Sequence, residues 1–151
     1  MASHPVYFSV LRSKSWERTG VIPFQQAILD VGESLNITSG YFTAPRKGNY
    51  FFTFTASGYI PSSTSRINRI VVGLNLNNVT AAYSNAEGVS TVSQYEPLAL
   101  QAALDLQAGD KVYLQITSLS SGARLDGPTF RYAQFSGWLL QEDLSSILSD
   151  L

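Results

Sequence analysis

The sequence predicts an all-β domain, a β-sandwich or barrel-like jelly roll, and three observations carry that reading. Short runs alternate apolar and polar at a period of two along most of the chain, and Gly, Pro, Asn and Ser clusters break them at regular intervals. Eight Phe, eight Tyr and two Trp give a high aromatic content, and strands favour such residues. Charged residues make up only 14% of the chain, against about 25% in an average domain. That low share also suits a subunit that hides part of its surface in an oligomer. At 151 residues the chain fits one domain with a core of its own.

The elements follow in order. Val6 to Leu11 is a β-rich opening run, closed by the charged segment Arg12 to Arg18. Gly20 to Pro23 and Gln26 to Leu29 read as short strands, and Ser39 to Thr43 as another, stopped by Pro45 and the turn Arg46-Lys47-Gly48. The clearest strand runs from Asn49 to about Tyr59. Tyr50, Phe52, Phe54 and Ala56 take its core face; Asn49, Phe51, Thr53, Thr55 and Ser57 take the other. Phe51 breaks that polar face and marks a second packing surface. Ile60 to Asn68 is a loop, and Arg69 to Leu76 alternates again. Asn77-Asn78 reads as a hairpin turn because Asn tolerates the left-handed region, with Val79 to Tyr83 returning. Leu98 to Leu106 is a strand despite its Ala and Leu content, since its period is two. Ala108-Gly109-Asp110 turns the chain into Val112 to Ile116. Ser118 to Thr129 is a glycine-rich loop, and Phe130 to Leu140 closes the domain.

Both ends differ from the body. Residues 1–5 read as a flexible, expression-derived start without the charged and apolar regions of a signal peptide. Residues 141–151 read as an amphipathic tail, with Leu144, Ile147, Leu148 and Leu151 on one helical face. The expected domain is therefore 6–140.

Several function classes fall away. Formal net charge is −1, so no overall field draws the protein to nucleic acid or anionic membrane, and no apolar run is long enough to span a bilayer. There are no cysteines, which excludes thiolate catalysis and cysteine-built metal centres. His4, the sole histidine, lies in the flexible start, whereas a catalytic triad needs a rigidly held base. Paired carboxylates can act as acid and base, but the Asp and Glu here fall in turns, where solubility and capping explain them. An enzyme is the poorest reading.

Phe24, Asp30, Leu35, Phe42, Gly48, Tyr50, Phe52 and Phe54 have the spacing Phe-x5-Asp-x4-Leu-x6-Phe-x5-Gly-x-Tyr-x-Phe-x-Phe. Eight fixed positions over about thirty residues are hard to meet by chance. The pattern resembles the signature of the complement component 1q globular-head family. Val6-Tyr7-Phe8-Ser9-Val10 is similar to that family's first strand, and Phe135-Ser136-Gly137-Trp138-Leu139-Leu140 to its closing strand. Leu104 to Val112 resembles its leucine strand, Gly-Asp turn and following strand. The resemblance implies a ten-stranded jelly-roll β-sandwich of the tumour-necrosis-factor-like type, assembled as a homotrimer.

It further implies a secreted, non-enzymatic recognition module of innate immunity that binds a microbial carbohydrate or another anionic ligand, with no cofactor. Alternative readings are an extracellular adaptor or signalling ligand that bridges cell-surface receptors, as some relatives do, or the trimerising head of a matrix protein. The loop Leu119 to Pro128 has one carboxylate, Asp126, where some relatives hold a calcium-binding cluster, which counts against calcium here. The signature residues, with Phe135 and Gly137, read as core and turn positions, Gly48 fitting a turn before a strand, where positive φ costs nothing without a Cβ.

Ligand contacts are therefore expected on loops. Arg66 and Arg69 flank one, while Arg124, Asp126 and Arg131 lie in or beside another. Arginine can hold a carboxylate, sulfate or phosphate bidentately. Asn36-Ile37-Thr38 and Asn78-Val79-Thr80 are glycosylation acceptors in a secreted protein. Asn78, in an exposed turn, is the better candidate.

Overall fold

The computed structural model describes residues 4–127 and 133–145. Among them eleven strands form two antiparallel sheets: β1 (Tyr7–Arg12), β2 (Gly20–Val21), β3 (Gln26–Val31), β4 (Phe42–Thr43), β5 (Gly48–Ile60), β6 (Asn68–Leu76), β7 (Val79–Gly88), β8 (Gln94–Leu106), β9 (Lys111–Leu119), β10 (Arg124–Asp126) and β11 (Ala133–Glu142). The larger sheet has the order β10-β5-β11-β1-β3, with β8 on the other side of β5. The smaller has the order β2-β9-β6-β7, with β4 also on β9. All pairings are antiparallel, so the all-β expectation holds.

The apolar signature residues turn out to be one packed cluster. Tyr50, Phe52, Phe54 and Phe135 are fully buried, and Phe24, Leu35 and Phe42 nearly so. Phe42 lies 5.3 Å from Phe52 and 5.5 Å from Tyr50 between ring centroids, and Phe8 lies 5.0 Å from Phe135. Phe24 stacks on Phe135 at 5.8 Å. Residues far apart in sequence thus meet between the sheets in the offset and edge arrangements that aromatic quadrupoles favour. Gly137 fits this cluster because a Cβ there would come within 2.6 Å of the Phe52 ring and 2.8 Å of Phe8. Gly48 differs from expectation: its φ is not positive. Its Cβ would instead meet the Gln141 carbonyl oxygen at 2.5 Å, so close approach of β11 is what requires glycine there.

Other differences have local causes. Arg124–Asp126, read as loop, pairs with Ser57–Tyr59 of β5, and Trp16 bridges to Leu125. That cover buries Ser57, read as outward-facing, to 7% exposure. The segment read as a strand from Ser39 pairs only at Phe42–Thr43. β7 and β8 extend through polar residues to Gly88 and back to Gln94, where pairing with β6 and β5 outweighs the fading alternation. The expected turn at Asn77-Asn78 is present, with Asn77 at φ 55°. β11 runs to Glu142 and is held there by backbone and ion-pair contacts to the turn before β5. The Asp143 N–H donates to the Lys47 carbonyl at 2.9 Å, and Lys47 Nζ lies 3.2 Å from its carboxylate. Ile147, Leu148 and Leu151 lie outside the described residues, as does Arg131.

Candidate functional site

Two surfaces carry chemistry beyond the core. The first is the outer face of the larger sheet. Register places Val31, Tyr7, Trp138, Phe51 and Ala103 in one row across β3, β1, β11, β5 and β8. Antiparallel partners share a face, so the row is a continuous apolar stripe. The Phe51 ring lies 5.0 Å from Trp138, yet Tyr7 and Trp138 each remain 38% exposed and Leu29, on the neighbouring row, 49%. Tyr7, Leu29, Trp138 and Leu139 border an apolar groove of about 460 Å³. Phe51, the exception on an otherwise polar strand face, thus belongs to a patch of the kind that marks an interaction surface.

The second surface is one end of the sandwich. The ends of the described chain approach one another at the opposite end, where the Leu139 N–H donates to the Val6 carbonyl at 2.9 Å. The far end gathers the β1–β2, β5–β6, β7–β8 and β9–β10 loops. Charge is segregated between the two. The far end holds Arg12, Lys14, Arg18, Arg66, Arg69 and Arg124 against Glu17, Glu87, Glu96 and Asp126. The end with the termini holds Arg46, Lys47 and Lys111 against Asp30, Glu33, Asp105, Asp110, Glu142 and Asp143. A net charge near zero conceals this polarity.

The arginines expected on loops differ in their surroundings. Arg66 is exposed in the β5–β6 loop, its backbone N–H bonded to Ser63 Oγ at 3.0 Å. Arg69 is the second residue of β6 and lies 3.8 Å from Glu87. The Arg124 guanidinium covers the Tyr59 ring at 4.0 Å, and its Nε lies 3.9 Å from Asp126. Asp126 is only 1% exposed, and among the described residues no group of three His, Cys, Asp or Glu could hold a metal ion.

The sequence reading missed a further basic cluster. Arg12 and Arg18 place their guanidinium carbons 4.7 and 5.1 Å from the centre of the Trp16 ring, close enough for cation–π attraction. Arg12 donates to the carbonyls of Pro23 at 3.3 Å and Ser15 at 3.2 Å. Burial pushes its pKa down, with repulsion from Arg18 adding to the effect. The signal available in sequence was three cations bracketing a tryptophan within Arg12 to Arg18.

At the other end two polar clefts of about 580 and 380 Å³ share Tyr41 and Lys111, and Asn36 borders one while Asn78 borders the other. Tyr41 and Tyr113 pack edge to face at 4.8 Å. Both asparagines are exposed. Burial raises the Asp30 carboxyl above its ordinary 3.8, opposed by the backbone N–H of Ser34 and reinforced by Glu33. A carboxyl that holds its proton more tightly when folded favours the folded state more below the unfolded value than at neutral pH. Asp30→Asn is therefore expected to gain stability relative to the native chain at about pH 7, and to lose that advantage by about pH 3. Thermal melts at both pH values check this; an advantage that does not change with pH contradicts it.

Among the described residues no helix is long and apolar enough to cross a membrane. The family profile described as the C1q domain matches residues 7–140. Complement C1q tumor necrosis factor-related protein 3 of Mus musculus is 32% identical over 145 residues, covering 94% of this chain and 50% of that protein. Its Homo sapiens counterpart matches with the same identity and coverage. The chain thus spans about half the length of these curated relatives. Among solved structures, the globular domain of zebrafish complement 1qA protein superposes with TM-score 0.68 at 24% identity, covering 91% of this chain and 99% of that one. Murine APRIL superposes with TM-score 0.62 at 13% identity, covering 91% and 100%. These likenesses show a fold shared with both.

Proposed function

The chain belongs to the C1q domain family, and on that premise we propose that it is a secreted, non-enzymatic recognition module that works as a homotrimer. The exposed stripe through Tyr7, Trp138 and Phe51 supports the trimer. A three-fold ring would cover such a stripe on every subunit and leave none free for open-ended assembly. Extracellular placement rests on family likeness.

The ligand reading is carried by one observation, the gathering of arginines at the loop end remote from the chain termini. Three copies on a common axis would bring three such ends together, and weak sites would add through avidity. An acidic glycan or another anionic ligand matches that chemistry, since guanidinium groups grip carboxylate, sulfate and phosphate in pairs of hydrogen bonds. Arg66 and Arg124 are the proposed contacts, with Arg69 and Asp126 near them and Arg131 proposed from the sequence alone; Arg69 is partly neutralised by Glu87. Asn78, and secondarily Asn36, are proposed glycosylation sites at the opposite end, where a glycan would leave the arginine-bearing loops clear.

A glycan array with wild type, Arg66→Ala and Arg124→Ala tests the ligand reading. Wild type is expected to bind acidic glycans and each variant to lose about ten-fold in affinity, the loss expected for a charge-assisted contact of roughly 1.5 kcal/mol. Absence of binding, or binding unchanged in both variants, contradicts it.

A further inference from the structure

At the end with the chain termini, the larger of the two polar clefts gathers charges of both signs that do not meet. Asp30, Glu33 and Lys111 all line it, yet none of the three enters an ion pair among the described residues. Topology keeps them apart. Gly32 and Glu33 take φ of 100° and 51°, left-handed values that turn the chain sharply out of β3. Ser34 then lies beside β4, where the Thr43 N–H donates to its carbonyl at 2.9 Å. Thr43 pairs in turn with Lys111 of β9. Neighbouring strands stand about 4.8 Å apart, so the backbones of Ser34 and Lys111 are roughly 10 Å apart across the cleft.

The carboxylate wall also holds polar atoms without partners. The Ser34 N–H takes one oxygen of the Asp30 carboxylate. The other oxygen, Oδ1, and the Ser34 hydroxyl are buried with no hydrogen-bond partner among the described residues, and Ser34 as a whole is only 9% exposed. Buried polar groups are rarely left in that state. Burial raises the Asp30 carboxyl above its ordinary 3.8, so its charge is under-compensated by the chain itself. On the facing wall Lys111 Nζ donates to Thr43 Oγ1 at 3.2 Å, which leaves the rest of its ammonium donors for an anion. The Tyr41 ring, centred 5.9 Å from Lys111 Nζ, adds an aromatic surface to the same cleft.

We propose that this cleft binds a small zwitterion, a ligand with a primary ammonium and a carboxylate at the two ends of a short aliphatic chain. The ammonium donates to Asp30 Oδ1 and Ser34 Oγ, with Glu33 adding negative charge beside it. The carboxylate accepts from Lys111, and the aliphatic chain lies on Tyr41. Charge-assisted hydrogen bonds of this kind are the strong ones. Two walls of opposite charge that cannot reach each other are both neutralised by one ligand that spans them. An ammonium suits the carboxylate wall better than a metal ion, because among the described residues no group of three His, Cys, Asp or Glu could hold one. A purely anionic ligand would be repelled by Asp30 and Glu33. This inference stands apart from the anionic-ligand reading, which rests on arginines at the other end.

Titration of the full chain with 6-aminohexanoate, followed by amide NMR, tests it. Saturable shifts are expected at Ser34, Thr43 and Lys111. Hexylamine and hexanoate each lack one charge, and glycine holds its charges too close together to span the cleft. All three are expected to bind at least about ten-fold more weakly, as the loss of a charge-assisted contact implies. Asp30→Asn and Lys111→Gln should each weaken 6-aminohexanoate binding about ten-fold, while Arg66→Ala should leave it unchanged. Asp30→Asn removes a charge that burial disfavours and Lys111 is exposed, so circular dichroism should match wild type in both variants. No saturable shift in wild type, equal binding of hexylamine, or binding untouched by Asp30→Asn and Lys111→Gln overturns the proposal. Zwitterion binding with a blank glycan array removes the anionic-ligand reading alone; glycan binding without zwitterion binding removes this one alone.

Discussion

Phe52→Ala is expected to lower the stability of the domain by about 4 kcal/mol, within the range for emptying a buried aromatic site. Phe52 is fully buried and its ring stands 5.3 Å from Phe42, 6.1 Å from Phe135 and 6.3 Å from Phe8. Its removal takes contacts from three other strands at once, and a β-sandwich held by ladders on both sides cannot easily collapse into the space. Urea unfolding should show a lower midpoint at nearly constant slope. Gly137→Ala should cost about 2 kcal/mol by overpacking against the same ring. The double change should cost clearly less than the sum, because the smaller residue removes the closest clash. A loss under about 1 kcal/mol for Phe52→Ala, or strict additivity, would show that the cluster is not the keystone described.

The second large effect is on assembly. Trp138→Glu is expected to yield a folded monomer. Trp138 points out of the larger sheet, 38% exposed, against Phe51, so the substitution leaves the inner core untouched. In the proposed trimer it would bury an unpaired carboxylate, a penalty of several kcal/mol on each subunit. Light scattering should give the single-chain mass and circular dichroism a native spectrum. A variant with unchanged wild-type mass would place the interface elsewhere.

Much of this architecture was legible in sequence. Tyr50, Phe52, Phe54 and the leucines from Leu98 to Leu106 announce strands because one face of each is buried, and burial imposes a period of two. Phe51 announced the outer stripe by violating that period, although Tyr7 and Trp138 joined it only once register set them side by side. β10 left no such mark. Its three residues are held by pairing with Ser57–Tyr59 and by the bridge from Trp16, contacts between distant segments that no local pattern encodes. The charge polarity was hidden for the same reason: net charge sums over the chain, whereas a ligand meets one end. Arg12 sits in sequence within a charged run, yet the fold buries it to 8% exposure with its guanidinium against the Trp16 ring. Gly48 reads in sequence as a turn glycine, but what requires it is an approaching backbone from β11 rather than its own φ.

The central claim is that this domain acts as a three-fold assembly with its arginine-bearing loops gathered at one end. Sedimentation equilibrium of the unmodified chain at micromolar concentration tests it most directly. The expected result is one species at three times the 16.5 kDa chain mass. A stable species at the single-chain mass would contradict it.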